Sequence, residues 1–174
     1  IETIKSRLPW LLVNLLTAIL ASSIVNHFSD TIAKVVVLAA LNPIITGMGG
    51  NAGTQTLTLI CRSIALGEID KSNALSTLFK EIISGLFNGF VVGLLVGTVG
   101  YVLSDNIWIG VIVGVSMVVN MVVAVIAGFG IPLFLEKIKV DPAVASAVFV
   151  TAFTDATGFL VFLGLATVFI EKLV

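Results

Sequence analysis

Long stretches that contain neither a charged residue nor histidine constrain this chain more than any other feature. There are five of them, each 19 to 30 residues long, and only the last is interrupted, by Asp155. About 20 residues of α-helix span the roughly 30 Å hydrocarbon core of a bilayer. The sequence therefore predicts an all-α integral membrane protein with five transmembrane helices per subunit. They form a single transmembrane domain, 1–174, and are predicted at residues 8–26, 33–61, 82–104, 107–135 and 142–170.

The low content of charge supports this class and excludes others. Only 11% of the residues are charged, whereas a soluble domain has about 25%. The mean hydropathy is +1.18. These charges are too few to cover a water-facing surface, and they form no basic patch for nucleic acid. The expected surroundings are therefore a lipid bilayer.

The basic residues predict the orientation of the helices. Seven of the nine Lys and Arg residues lie on the side of the N-terminal tail, and two lie on the opposite side. Because cytoplasmic loops carry an excess of Lys and Arg, the N-terminus is predicted to be cytoplasmic and the C-terminus outside. Asp141 and Pro142 predict the N-cap and the first turn of the last helix.

Glycines recur at every fourth position of the third predicted helix, at residues 85, 89, 93 and 97. This spacing puts all four on one face, which predicts a surface where another helix packs closely. Asn88 and Asn120 are predicted to form hydrogen bonds between helices, the alternative being that they are ion ligands.

The second predicted helix contains an unusual segment, "NPIITGMGGNAGTQ". It includes Asn42, Pro43, Asn51, Gln55 and four glycines within seven residues, 47–53. Proline and clustered glycines weaken a helix, so a bend and a break are predicted here. Irregular backbone at membrane depth is tolerated only where protein or a water-filled path surrounds it. We therefore expect this segment to line a pore, the alternative being a kinked helix that only packs tightly.

Asp155 stands near the middle of the last apolar stretch. An isolated carboxylate at this depth costs roughly 2.5–3.5 kcal/mol on insertion scales, and such residues usually mark a functional site. Lys34, at a helix edge, is the one Lys or Arg within any predicted span, so an ion pair is not expected. Thr151 lies one turn earlier on the same face, and Thr154 and Thr157 are close in sequence.

Oxygen ligands favour a hard cation at Asp155, such as Mg²⁺, Mn²⁺ or Ca²⁺, over zinc or copper. Composition and spacing leave Na⁺, H⁺ and a protonated structural acid open. Five helices make a thin bundle, so a two-fold homodimer is expected, with two Asp155 carboxylates facing one pathway. A divalent ion between them would neutralise the pair. Because Mg²⁺ gives up water reluctantly, a wide ring would hold it hydrated.

Four motifs carry a family resemblance. "GMGGNAGTQ", "RSIALGEI", "DPAVAS" and "TDATGFLVFLGLAT" together resemble the membrane domain of the MgtE family of magnesium channels. The resemblance implies a multi-pass protein of the plasma membrane, with a Mg²⁺ pore at a homodimer axis lined by helices two and five. By motif, Asp155 would bind the hydrated ion. A backbone carbonyl from Thr151 or Ala152 would help.

The resemblance also makes Asn51, the asparagine of the "GGN" motif, a pore-lining position. The other predicted pore-lining residues are Gly50, Asn42, Gln55 and Thr154. One departure from the family follows "DPAVAS", where this chain has Ala147 and Val148 instead of a small residue and proline. Family members usually carry cytoplasmic CBS domains that close the pore at high internal Mg²⁺. These 174 residues contain no such region, so that regulation is not expected of them.

The expected function is passive, magnesium-selective conduction through a dimeric pore, and not catalysis. The alternative is a secondary transporter of divalent cations coupled to H⁺ or Na⁺, with a broken second helix forming half of its site. An intramembrane aspartyl protease needs two carboxylates that share a proton, and each chain offers only one at this depth.

Overall fold

The computed structural model describes residues 2–69, 72–139 and 142–174. Every element within these ranges is helical, which confirms the predicted all-α class. The elements are α1 (Glu2–His27), α2 (Ser29–Lys34), α3 (Val37–Ala65), α4 (Ala74–Ser104), α5 (Ile107–Lys137), α6 (Pro142–Val168) and α7 (Ile170–Leu173).

Four of the long helices are apolar enough to cross a membrane, counted over the described residues. They are α1 from Arg7, α4, α5, and α6 from Ala147. The fifth, α3, has 29 residues and a length of about 43 Å, but its amides, threonines and glycines lower its hydropathy. A membrane span by α3, and the predicted orientation of the termini, therefore stay predictions.

The observed helix ends differ from the predicted ones mainly at the membrane edges. The segment 33–61, predicted as one helix, is interrupted by a non-helical turn at Val35–Val36, which separates α2 from α3. α4 begins at Ala74 rather than at residue 82, and α6 ends at Val168 before the short α7. The predicted N-cap Asp141 lies outside the described residues.

The predicted break in the glycine-rich segment was wrong. α3 runs without interruption through Pro43 and all four glycines. Each glycine costs a helix about 1 kcal/mol relative to alanine. An unpaired backbone group in hydrocarbon costs several kcal/mol. The second cost exceeds the first, so the segment keeps its helical hydrogen bonds.

Helix α5 is the centre of the bundle. It packs against α3, α4 and α6, while α1 packs mainly against α6. α3 also contacts α6, so these two helices and α5 enclose the core. Its most buried apolar side chains come from these three helices: Leu38, Leu41, Ile45, Val113, Met117, Phe162 and Leu163.

The predicted glycine surface of α4 is confirmed. All four glycines are buried and lie against α5. A Cβ added at Gly97 would stand 2.7 Å from the carbonyl oxygen of Gly110, and one at Gly93 would stand 2.8 Å from that of Gly114. Contacts this close between two backbones require glycine, and they fix α4 on α5 by van der Waals packing.

Candidate functional site

Asp155 lies midway along α6, where its side chain is half-buried. The carboxylate has no hydrogen bond or ion pair with any residue in the described ranges. Nor do those ranges contain a group of three or more His, Cys, Asp or Glu side chains that could hold a metal ion. Asp155 is thus a lone acidic group midway along α6, and the described part of its own chain supplies no partner for it.

The two threonines near Asp155 use their hydroxyl protons within α6. Thr151 Oγ1 donates to the carbonyl oxygen of Ala147 at 2.9 Å, and also lies 3.1 Å from that of Val148. Thr154, which is fully buried, donates to the carbonyl oxygen of Thr151 at 3.0 Å. Ala152 is half-buried on the same helix. Whether Thr151 or Ala152 supplies a carbonyl to an ion stays a prediction.

The glycine-rich part of α3 meets α6 one turn before Asp155. A Cβ added at Gly50 would lie 3.9 Å from both Thr151 Cγ2 and Thr154 Oγ1. A Cβ at Gly53 would lie 2.5 Å from Val150 Cγ1, so the helices are in direct contact there. Three predicted site residues, Gly50, Thr151 and Thr154, are therefore brought together.

The opposite face of α3 is exposed and carries small or polar side chains, and we call it the α3 stripe. It consists of Pro43, Gly47, Asn51, Thr54, Gln55 and Thr58. On α3 the only large apolar side chain among the described exposed residues is Leu59. By contrast, the exposed positions of α1 and α4 are mostly Leu, Ile, Val and Phe. Polar side chains facing lipid are unfavourable, so the α3 stripe belongs against water or protein.

The other predicted pore-lining asparagine is placed differently. Asn42 is only 7% exposed, and its Oδ1 has no hydrogen-bond partner among the described residues. It lies on the packed side of α3, away from the α3 stripe that holds Asn51 and Gln55. The structure thus separates the five pore-lining candidates into an exposed pair, Asn51 and Gln55, and three that face the bundle interior or α6.

Asn120 forms the predicted hydrogen bond between helices, and sequence analysis missed the residues around it. Its Nδ2 donates to the carbonyl oxygen of Ile45 in α3 at 2.9 Å. Gly49 of α3 is in contact with the amide, and a Cβ at Gly158 of α6 would lie 3.0 Å from Nδ2. The two glycines make room for one buried amide. Neither glycine has a sequence pattern that points to a residue 71 or 38 positions away.

Asn88, the other asparagine predicted to bond between helices, does not do so. Its Nδ2 points to Ser84 Oγ in the same helix, at 3.5 Å.

Comparison with known proteins identifies the family. The family model MgtE, described as "Divalent cation transporter", matches residues 42–165. The chain is 35% identical over 96% of its length to "Magnesium transporter MgtE" of Bacillus subtilis, and 33% identical over its whole length to the protein of that name from Enterococcus faecalis. It is 34% identical over 95% of its length to the Thermus thermophilus protein of that name.

The chain spans 37% to 38% of the length of these curated relatives. The family is one of transporters rather than enzymes. With four helices in its described ranges long and apolar enough to cross a bilayer, the chain is a multi-pass integral protein of the plasma membrane and belongs to the MgtE family of divalent cation transporters.

Proposed function

We propose that this chain forms the ion pathway of a magnesium channel, which two copies complete around a common axis. The observation that carries the proposal is the half-buried Asp155, a carboxylate without a partner in the described ranges of its own chain, one turn from the place where α3 meets α6. The three curated relatives are named magnesium transporters, which favours Mg²⁺ as the ion.

The α3 stripe supports the dimer. It offers a polar surface on a chain whose other exposed helix faces are mostly apolar. If two copies met with these surfaces facing each other across a two-fold axis, the commonest symmetry, the stripe would face water instead of lipid. The same arrangement would direct both Asp155 carboxylates to one pathway, with Asn51 and Gln55 on its walls.

A hydrated ion fits this set of groups better than a bare one. Each chain contributes one carboxylate, and Mg²⁺ requires six oxygen ligands in near-ideal octahedral geometry. The Thr151 and Thr154 hydroxyls already donate within α6. Carboxylate and carbonyl oxygens would therefore accept hydrogen bonds from the water shell of the ion. The pore would select ions by the size and charge of the hydrated ion, as in other channels where cavity size and the electrostatic field of the lining groups set ion selectivity.

The alternative, a transporter coupled to H⁺ or Na⁺, loses one of its sequence arguments. Half of its site would be formed by a broken second helix, and α3 is continuous. Passive conduction requires only an electrochemical gradient of Mg²⁺ itself.

The test is Mg²⁺ influx into liposomes that contain the purified protein and a trapped Mg²⁺ indicator. Asp155→Asn keeps the shape of the side chain and removes its charge. We expect influx to fall roughly 10- to 100-fold, the usual effect of removing a group that orients the ligands of a metal. The control is Asp105→Asn, in the exposed turn between α4 and α5, where φ is 53°. Asparagine tolerates this conformation as well as aspartate does, so influx should not change.

Unchanged influx in Asp155→Asn would remove Asp155 from the pathway. Influx by the unsubstituted protein that needs an imposed Na⁺ or pH gradient would instead establish the coupled transporter.

A further inference from the structure

A polar cleft lies between α3, α4 and α5, apart from Asp155, and we call it the lateral cleft. Its volume is about 240 Å³. α3 and α4 pack mainly against α5 rather than against each other, which leaves this space between them. Its polar lining consists of Gln55, Thr56, Glu81, Ser84 and Asn88.

The α4 wall of the lateral cleft is a polar face on an otherwise apolar helix. Glu81, Ser84 and Asn88 follow one another at spacings of three and four, so they share one face. The other side of this part of α4 exposes Phe79 and Phe87, at 64% and 68%. The helix thus separates a side suited to lipid from a side that needs water or an ion.

The floor and the opposite wall set the shape of the lateral cleft. Met121 and Val125 of α5 form an apolar floor. Gly85 holds α4 close to it, because a Cβ there would lie 2.9 Å from Val125 Cγ2. Gln55 stands on the α3 wall and also belongs to the α3 stripe. The lateral cleft is therefore adjacent to the proposed ion pathway.

The charge in the lateral cleft is negative. Glu81 is its only charged lining residue among those described, and it is half-buried. It has no hydrogen bond or ion pair with another residue in the described ranges. Lys80, next to Glu81 in the sequence, and Arg62, near the C-terminal end of α3, are exposed and do not line the space. A carboxylate that lines the same cleft as two amides, with no basic residue among the described lining, is a set of oxygen ligands suited to a hard cation.

We propose that the lateral cleft binds a hydrated divalent cation through Glu81, with the amide oxygens of Gln55 and Asn88 accepting hydrogen bonds from its water. A volume of about 240 Å³ holds roughly eight waters at about 30 Å³ each, enough for an ion with a shell of six. The choice of a divalent ion rests on the proposed function. The site would raise the local concentration of cations beside the pathway.

Binding of Mn²⁺, a paramagnetic substitute for Mg²⁺, tests this site without any measurement of flux. The purified protein carries Asp155→Asn throughout, so that the pathway site contributes little. We expect a bound Mn²⁺ signal in electron paramagnetic resonance to remain, and Glu81→Gln to weaken this binding roughly 10- to 100-fold. The matched control is Glu136→Gln, which removes an exposed carboxylate at the C-terminal end of α5 and should leave binding unchanged.

A second variant covers the case in which Glu81→Gln disturbs folding. Asn88→Ala leaves the carboxylate in place and removes one amide, so it should weaken Mn²⁺ binding by a smaller factor than Glu81→Gln. Absence of bound Mn²⁺ in Asp155→Asn, or equal binding in Glu81→Gln and Glu136→Gln, would overturn the proposal. Either result would leave the liposome test of Asp155 intact, because that test measures influx.

Discussion

Replacement of Gly128 by alanine tests how α3 is held on α5. Gly128 is buried in α5, and an added Cβ would lie 2.6 Å from the carbonyl oxygen of Gly53, 2.9 Å from Thr56 Cβ and 3.1 Å from the amide nitrogen of Leu57. Two of these three atoms belong to the backbone of α3. A change of rotamer cannot relieve the overlap, so the helices themselves must move apart.

The size of this movement sets the expected loss of stability. Ordinary contact begins at 3.4 Å, so the 2.6 Å approach is about 0.8 Å too short, and a gap of this size forfeits a quarter to a half of each van der Waals contact nearby. Between helices in lipid, such packing is a main source of association. Overpacking of this kind costs about 1–3 kcal/mol, and the better helix propensity of alanine returns up to about 1 kcal/mol.

The matched control is Gly130→Ala in the same helix. Gly130 is exposed, and a Cβ there would meet nothing within 4 Å. Both variants gain the same helix propensity, so their difference isolates the overlap. In reversible unfolding by SDS in mixed micelles, Gly128→Ala should have a free energy of unfolding about 1–3 kcal/mol below that of Gly130→Ala. Equal values would show that α3 does not pack against α5 as the structure has it.

Two further predictions concern the end of the bundle near the C-terminus. Thr31 Oγ1 lies 2.8 Å from Thr167 Oγ1. The Thr167 hydroxyl donates its single proton to the carbonyl oxygen of Leu163, at 2.7 Å, so Thr31 is the donor in the bond between the two threonines. A double-mutant cycle of Thr31→Val and Thr167→Val should give a coupling of about 0.6 kcal/mol, and at most about 1.7; additive losses would contradict the bond. Lys172 Nζ stands 3.9 Å from the centre of the Trp108 ring. Trp108→Leu and Lys172→Met should each lower the melting temperature. The double variant should have the same melting temperature as Trp108→Leu, because the cation–π contact, worth about 0.5–1 kcal/mol, is already lost when one partner is removed.

The fold class could be predicted because one physical requirement dominates it. Uncharged stretches long enough to cross hydrocarbon must form helices there. The end of α4 at Ser104 and the start of α5 at Ile107 follow directly from the turn at Asp105. α4 begins at Ala74, before the charged pair Lys80 and Glu81, where the sequence predicts its limit. Charge marks the edge of the bilayer, whereas a helix continues into water as long as its backbone bonds remain satisfied.

The continuity of α3 could not be predicted from local preferences. Proline and glycine scales describe exposed helices in water, where a broken bond is replaced by one to solvent. Within a packed bundle no such replacement exists, and the glycines instead allow Asn120 and Val150 to approach α3. The pattern in the sequence was correct as a sign of an unusual surface and wrong as a sign of a break.

The position of Asp155 midway along α6 could be predicted from the length of its stretch, but the surroundings of Glu81 could not. A carboxylate inside an uncharged interval is conspicuous, while one at the end of an interval resembles an ordinary boundary residue. The available signal was the spacing of Glu81, Ser84 and Asn88 on one face. These three residues form a cleft only together with Gln55 of α3, and the packing of α3 and α4 around α5 that brings Gln55 there is not visible in the sequence.

Helix α3 has to pack closely on one side and stay polar on the other, and its residues allow both. Gly49 and Gly53 bring one side into contact with α5 and α6, while Asn51 and Gln55 keep the other side polar. A continuous helix transmits any displacement at the packed side to the exposed side. The overlap created by Gly128→Ala should therefore shift the α3 stripe relative to Asp155 and lower Mg²⁺ influx as well as stability, although residue 128 lies on the packed side. Influx that stays normal in a destabilised Gly128→Ala protein would mean that the stripe and Asp155 do not share one pathway.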